Sequence, residues 1–485
     1  MTRARRVGPM PFHVRLGVPA AIAVGLLAGG FSCALAAEPP SADQRAFVDI
    51  YCELIEINTT DSSGDTLRAA EAMAARLRAG GIPAADIKVL SSGPRKGNLV
   101  ARLRGTGARR PLLLLAHLDV VEAKREDWDF DPFKLQEADG YFRARGAIDD
   151  KAMAAIFVAN MIAYAGAGYR PERDIILALT TDEELSDSPH NGVRWLLQHH
   201  RDLIDAEFAL NEGGGGSLRN GRPFRLAVQL AEKVYQTYQL EVTDRGGHSA
   251  APRRDNPIYR LADALHRLAQ FDFPPRLNAV TRAFFERVVT TETSPMADAM
   301  KALLAGRTDA DALAPLTARP DYNAQIRTTC VATMLEAGHA ENALPQTARA
   351  IVNCRVMPEE SVEEVGRTLA RVVADEKVAV IPKGTAVLSP PSAANPEVMQ
   401  AITQLSVEMW PGVPLNAAMS GGYTDSRWLR NAGIPAYGIS GLFSDPGNNG
   451  VHGRNEQVGV RAVYDSKEFL YRLVQQLAGP GKSNP

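Results

Sequence analysis

Uninterrupted apolar runs, each closed by a polar cluster, recur along the first half of the chain. The central one is Leu112-Leu113-Leu114-Leu115-Ala116, closed at once by His117-Leu118-Asp119. Ile175-Ile176-Leu177-Ala178-Leu179 repeats the pattern and runs into Thr181-Asp182-Glu183-Glu184, and the strand expected over 206–211 runs into Glu212-Gly213-Gly214. Runs without polar alternation mark parallel strands buried on both faces, and open α/β sheets place ligands outside the carboxyl ends of such strands. Shorter strands are expected over 87–90 and 98–103. Periodic segments between the runs predict helices over 42–57, 65–79, 152–165 and 191–200; the second carries Leu67, Ala70, Met73, Ala74 and Leu77 on one face and stops at Gly80-Gly81. Strands alternating with helices predict an α/β fold with a mostly parallel sheet flanked by helices.

From about residue 224 the pattern changes. Residues 226–230 and 234–243 alternate with period two and read as the strands of a hairpin; 328–335 and 348–356 read as further strands, and 256–268 and 361–375 as helices. The Ala-, Thr- and Asp-rich stretch 281–322 reads as mobile helices. After Pro390-Pro391 the first pattern resumes, with a helix over 395–409, a strand over 436–439 and a closing helix over 461–477. The expectation is one catalytic domain built from 37–223 and 389–485, interrupted at 224–388 by a smaller α+β lid or dimerisation domain.

Length and composition narrow the class. At 485 residues the chain exceeds what a single core usually supports. Its 45% apolar and 23% charged content is that of an ordinary globular protein, and a net charge of −2 argues against a nucleic-acid partner. The first residues differ: Arg3, Arg5 and Arg6 precede an uncharged stretch over 16–37 that contains Ala34-Leu35-Ala36. This reads as a secretory signal peptide, 1–36, cut after Ala36, so a periplasmic or secreted protein with no stable membrane association after cleavage is expected. An uncleaved anchor fits the Gly and Pro content less well, and Arg5-Arg6 leaves general and twin-arginine export both open. Cys33 leaves with the signal. Cys52, Cys330 and Cys354 remain, as structural thiols or with one bridge, at spacings unlike a zinc motif.

The polar clusters that close the strands carry the candidate chemistry. To His117, Asp119, Glu183, Glu184 and Glu212 the chain adds Asp149-Asp150 just before an Ala-rich helix, and an isolated His452 far downstream. Acid pairs are usually solvated surface charge. Gathered at partly buried strand ends, however, they would repel one another unless a cation neutralised them. Two His and several carboxylates without sulfur favour zinc, with manganese or cobalt as substitutes, and five ligands suit a metal pair sharing one carboxylate.

With these motifs in this order, the chain resembles the two-zinc exopeptidase and deacylase family that includes glutamate carboxypeptidase, succinyl-diaminopimelate desuccinylase, acetylornithine deacetylase, aminoacylase-1 and the yeast Gly-X carboxypeptidase, most closely the last branch. The resemblance spans essentially all of the mature chain. It implies two zinc ions per chain, with His117 and Glu212 on one, Glu184 and His452 on the other, and Asp149 bridging through an Asp149–Asp150 peptide expected to be cis. It further implies Glu183 as general base acting on a water between the zincs, and Asp119 steering His117 from behind. Gly246-Gly247-His248 resembles a lid motif whose His stabilises the oxyanion, often across a dimer, so His248 carries that expectation. Asn342, Arg355 and the loop Ser420-Gly421-Gly422 are expected to hold substrate carbonyl and carboxylate. Read alone, His248 is a turn residue and Arg355 a surface ion-pair partner. After Glu183-Glu184 many relatives carry Gly; here Leu185-Ser186-Asp187-Ser188-Pro189-His190 follows, which bears on specificity, and His190 is expected to be a loop residue. The implied activity is hydrolysis of an amide or peptide bond next to a free carboxylate, in a dipeptide, short peptide or N-acyl amino acid, with a homodimer formed through the lid. The rival readings are a dedicated N-acyl amino acid deacylase and a non-catalytic binding module on the same scaffold; the second predicts a missing ligand or base, and none is missing.

Overall fold

The central apolar run forms the strand Leu112–His117, every residue of which is buried. In the computed structural model, which describes residues 41–185, 188–445 and 447–480, it lies between Ile175–Thr180 and Phe208–Asn211, parallel to both. Period-two alternation explains the unbroken apolar run. Leu112, Leu114 and Ala116 enter the core on one face, with Met153, Phe157 and Met161 of the helix Lys151–Gly166. Leu113 and Leu115 enter the core on the other, with Val193 and Leu196 of the helix Gly192–His199. Ala436–Gly438 continues the parallel set beyond Phe208–Asn211. The flanks turn antiparallel, through Lys96–Leu103 and Ile87–Gly93 on one side and Arg222–Glu232 on the other. Leu415–Ser420 pairs in parallel with Arg222–Glu232, and Gly216–Arg219 and Phe443–Ser444 complete a ten-stranded, mostly parallel sheet between helices. The expected signal peptide and its expected cleavage site lie outside the described residues, among which no helix is long and apolar enough to cross a membrane.

A second, four-stranded sheet is wholly antiparallel, in the order Thr329–Ala337, Thr347–Val356, Val234–Thr243, Ala379–Lys383. Amphipathic helices Pro257–Ala269 and Val362–Val373 seal one face with Leu261, Ala264, Leu268, Val365 and Leu369. The hairpin expected from 226–230 and 234–243 does not form. Arg222–Glu232 belongs to the large sheet and Val234–Thr243 to the small one, and the chain crosses between them at Lys233. Residues 279–326 form four helices around Phe284, Phe285, Leu316, Tyr322 and Ile326, a packed core where mobile helices were expected. Cys330 and Cys354, paired on neighbouring strands, form the one disulfide among the described residues, and Cys52 is free.

Candidate metal centre

Because the three central strands run parallel, their carboxyl ends share one edge of the sheet. His117 closes the first, Glu183 and Glu184 follow the second, and Glu212 follows the third. The glycines after Glu212 let backbones meet: a Cβ on Gly214 would lie 1.9 Å from the Gly438 carbonyl oxygen. Asp149 enters from the turn before Lys151–Gly166, across a cis Asp149–Asp150 peptide, and His452 from a loop near the chain's end. Asp182 and His452 both hold left-handed backbone, φ 60° and 58°, in segments that carry the site.

The ligand atoms fall into two groups that share Asp149. His117 Nε2 lies 3.0 Å from Asp149 Oδ1 and 4.0 Å from Glu212 Oε1. His452 Nε2 lies 3.0 Å from Asp149 Oδ2 and 3.0 Å from Glu184 Oε1. Within each group all ligand atoms lie within 4.8 Å of one another. One carboxylate thus turns an oxygen to each imidazole, the arrangement a bridging ligand needs. Burial pushes the Glu183 and Glu212 carboxyls well above their usual range; the charge of Glu212 adds to the first and that of Asp149 to the second. Burial works against the charge of Asp149 too, but hydrogen bonds from both imidazoles hold it well below that range. Glu183 Oε1 is buried without a hydrogen-bond partner. Crowded carboxylates, nitrogen and oxygen donors only, and an orphaned buried oxygen fit a pair of divalent cations.

The surrounding contacts both support and revise the sequence expectations. His117 Nδ1 lies 2.9 Å from the Asp119 backbone carbonyl and 3.7 Å from its carboxylate, so the carbonyl, not the side chain, orients the ring. The Asp119 carboxylate instead accepts the backbone N–H groups of Glu183 (3.2 Å) and Glu184 (3.0 Å) and fixes that pair. His190 is a loop residue whose Nδ1 lies 2.6 Å from the Ser92 carbonyl. Arg355 and Gly421 come together, Nη1 donating to the Gly421 carbonyl at 3.2 Å, and the guanidinium sits over the Tyr235 ring. Gly422 donates its N–H to Ser420 Oγ at 3.0 Å. His248 pairs with Ala343 in a small ribbon, and Asn342 stands at its end, its carbonyl accepting the Ser249 N–H at 3.0 Å. No described hydrogen bond or ion pair joins His248 or Asn342 to the metal-ligand group. His248 Nδ1 accepts the Ala250 N–H at 3.1 Å, which leaves Nε2 as the protonated, donating nitrogen of the neutral ring.

Sequence reasoning gave no role to two buried carboxylates. Asp425 accepts Asn191 Nδ2 at 2.7 Å and Thr180 Oγ1 at 3.2 Å, tying the glycine loop to the second strand's end. Glu456 accepts donors from the Asp149 turn. The only sequence signal for either was proximity to a motif. A cavity of about 200 Å³ adjoins Glu184, walled by Val120, Val121 and Leu185, with Lys96 between Asp61 and Asp182. Hollows of about 640 and 700 Å³ lie elsewhere and contain none of the ligand residues, so size alone does not locate the chemistry.

Comparison with known proteins agrees with this geometry. The chain is 30% identical over 378 residues to the N-fatty-acyl-amino acid synthase/hydrolase PM20D1 of Xenopus tropicalis, spanning 75% of this chain and 72% of that one. It is 26% identical over 376 residues to "Probable carboxypeptidase S-like 2" of Dictyostelium discoideum, spanning 76% and 71%. In fold it matches an M20 metallo-carboxypeptidase of Sulfolobus solfataricus, with a TM-score of 0.65 at 16% identity over 88% of this chain and 98% of that one. It also matches human carnosine dipeptidase 1, with a TM-score of 0.64 at 16% identity over 91% and 99%. Residues 113–476 match peptidase family M20/M25/M40. The chain belongs to that family and is a metal-dependent peptidase or amidohydrolase.

Proposed function

We propose that this protein hydrolyses the amide bond on the amino side of a residue with a free carboxylate, with two zinc ions held by His117, Asp149 and Glu212 and by Asp149, Glu184 and His452. The observation that carries the reading is the Asp149 carboxylate, which sets one oxygen 3.0 Å from each imidazole. When bound, such a pair neutralises the carboxylates and supplies Lewis acidity toward water and the scissile carbonyl. The protein does the rest. Glu183, held by the Asp119 carboxylate and with Oε1 unengaged, takes a proton from the attacking water and delivers it to the leaving nitrogen. Arg355, beside Gly421, offers paired donors to the substrate carboxylate. His248 Nε2–H donates to the developing oxyanion. The test is a panel of dipeptides, short peptides and N-acyl amino acids, each beside its carboxamide analogue, assayed before chelation, after it and after zinc is restored. The expected outcome is loss on chelation, recovery with zinc and a preference for free acids; equal rates on acids and carboxamides would sink the carboxylate reading.

A second reading, in which the acyl side is a fatty or other apolar acyl group, draws on the PM20D1 relatives, named for N-fatty-acyl amino acids, and on the apolar walls Val120, Val121 and Leu185 beside Glu184. Preference for N-acyl amino acids over dipeptides in the same panel selects it. Export is supported by the uncharged stretch over 16–37 and by the Cys330–Cys354 bridge, which oxidising compartments favour. Protein recovered from the periplasm or medium should begin at Ala37, whereas a cytoplasmic protein beginning at residue 1 would refute export.

A further inference from the structure

We infer that Glu456 is the positioning residue that locks the metal ligands Asp149 and His452 into one frame, and that the Asp149–Glu184–His452 site depends on it more than the His117–Asp149–Glu212 site does. The inference rests on the two-ion reading above. Its ground is an asymmetry in how the ligands are held. His117 closes one buried parallel strand and Glu212 directly follows another, while Glu184, in the loop past Thr180, is fixed by its backbone N–H on the Asp119 carboxylate. Asp149 and His452 have no strand behind them. Asp149 lies in the turn that precedes Lys151–Gly166, and His452 in the loop before Gln457–Gly459.

Glu456 joins those two segments. Its side chain is fully buried, and each carboxylate oxygen accepts two donors from the Asp149 turn. Oε1 takes the N–H of Ile148 at 2.7 Å and of Asp149 itself at 3.2 Å. Oε2 takes Arg145 Nη1 at 2.7 Å and the Gly146 N–H at 3.1 Å. Arg145 closes the link from its other side, donating Nη2 to the Gly453 carbonyl, next to His452, at 2.6 Å. The Glu456 backbone carbonyl takes the Ala144 N–H at 3.2 Å. Four donors converge on one carboxylate, so an amide cannot replace it: in either orientation, the NH2 of Gln would face two N–H donors. Asp keeps the charge but is one methylene too short to reach both ends of the turn.

The two sites should therefore respond unequally. The His117 site takes one ligand from the segments that Glu456 joins, Asp149. The His452 site takes two, and only their relative placement brings Nε2 within 3.0 Å of Asp149 Oδ2. A purely structural role for the buried Arg145–Glu456 pair would instead weaken both sites together, in step with folding.

The experiment measures zinc stoichiometry and affinity, by calorimetric titration of the apoprotein and by metal analysis after dialysis, for wild type, Glu456→Gln and Glu456→Asp. Far-UV circular dichroism and melting are followed in parallel. His452→Ala and His117→Ala, alone and combined with each Glu456 variant, mark the sites. Wild type is expected to bind two ions. Both Glu456 variants should keep one ion at near wild-type affinity and bind the second roughly 10–100-fold more weakly, the usual effect of losing a residue that orients ligands. Adding His452→Ala should then change little, and adding His117→Ala should remove the remaining ion. The Asp variant keeps the charge and gives the same reading should Gln not fold. Two ions held as tightly as in wild type, or parallel loss of both sites, overturns the inference and leaves the two-ion reading intact. A wild type that binds fewer than two ions overturns both.

Discussion

Glu183 shows how one residue's surroundings fit it for proton transfer. It is buried, its backbone N–H is fixed by Asp119, and one carboxylate oxygen has no protein partner. Glu183→Gln preserves the size and removes the proton acceptor. It should lower kcat by roughly 10²–10⁴-fold, the usual contribution of a general base, while zinc content stays at the wild-type level. Loss of metal in step with activity would instead make Glu183 a ligand. At this scale the sequence was informative wherever chemistry broke a pattern: an acid or His directly after an unbroken apolar strand is conspicuous, and His117, Glu184 and Glu212 stood out for that reason. Asp119 stood out too, but it meets His117 through its backbone carbonyl and not its carboxylate. An orienting carboxylate and an orienting backbone carbonyl two residues from a His look alike in sequence, and only the 2.9 and 3.7 Å distances separate them. Glu456 left almost no trace, because its partners are mainly backbone N–H groups, which every residue but proline has.

At the scale of elements, the uniformly apolar strands were legible and the seam between the sheets was not. The hairpin expected from 226–230 and 234–243 would have put Glu232 and Lys233 in its exposed turn, where charged side chains usually sit. Here both are buried, since each finds partners far away in sequence. Glu232 accepts Ser389 Oγ at 2.7 Å and the Thr424 N–H at 3.0 Å, with Arg430 Nη1 3.4 Å away. Lys233 Nζ donates to the Arg327 carbonyl at 2.6 Å. Burial lowers the Lys233 ammonium from its ordinary 10.5 to about 7. Between those values the unfolded chain holds a proton that the folded chain has released, so this residue makes stability rise with pH across that window. The urea midpoint should therefore climb more between pH 7 and pH 9 in wild type than in Lys233→Met. An identical climb in the two proteins would mean that Lys233 keeps its proton when folded. The helices expected over 281–322 are present, but their shared core was not legible, since the aromatic residues that pack them, Phe284, Phe285 and Tyr322, are spread thinly among Ala and Thr.

At the scale of the whole molecule, the strand Thr329–Ala337 sits at the edge of the small sheet with both faces of its outer half exposed: Val331, Met334 and Leu335 are 60%, 68% and 67% accessible. An open edge with apolar side chains invites pairing, and two copies related by a two-fold axis would join their four-stranded sheets into one. Such a pairing would bear on catalysis. His248 is exposed on its ribbon, its Nε2–H is free to donate, and no described bond ties it to its own metal-ligand group. On this view the dimer, not the single chain, completes the site. Light scattering behind size exclusion should give wild type twice the mass of one chain. Met334→Lys, which puts a charge on the edge, should give a monomer. That monomer should retain its zinc and its melting temperature yet lose turnover as severely as His248→Ala does, with no further loss when the two changes are combined. A wild type that is monomeric and fully active, or a Met334→Lys monomer as fast as wild type, would show that the edge strand serves no role in turnover and that His248 acts within its own chain or not at all.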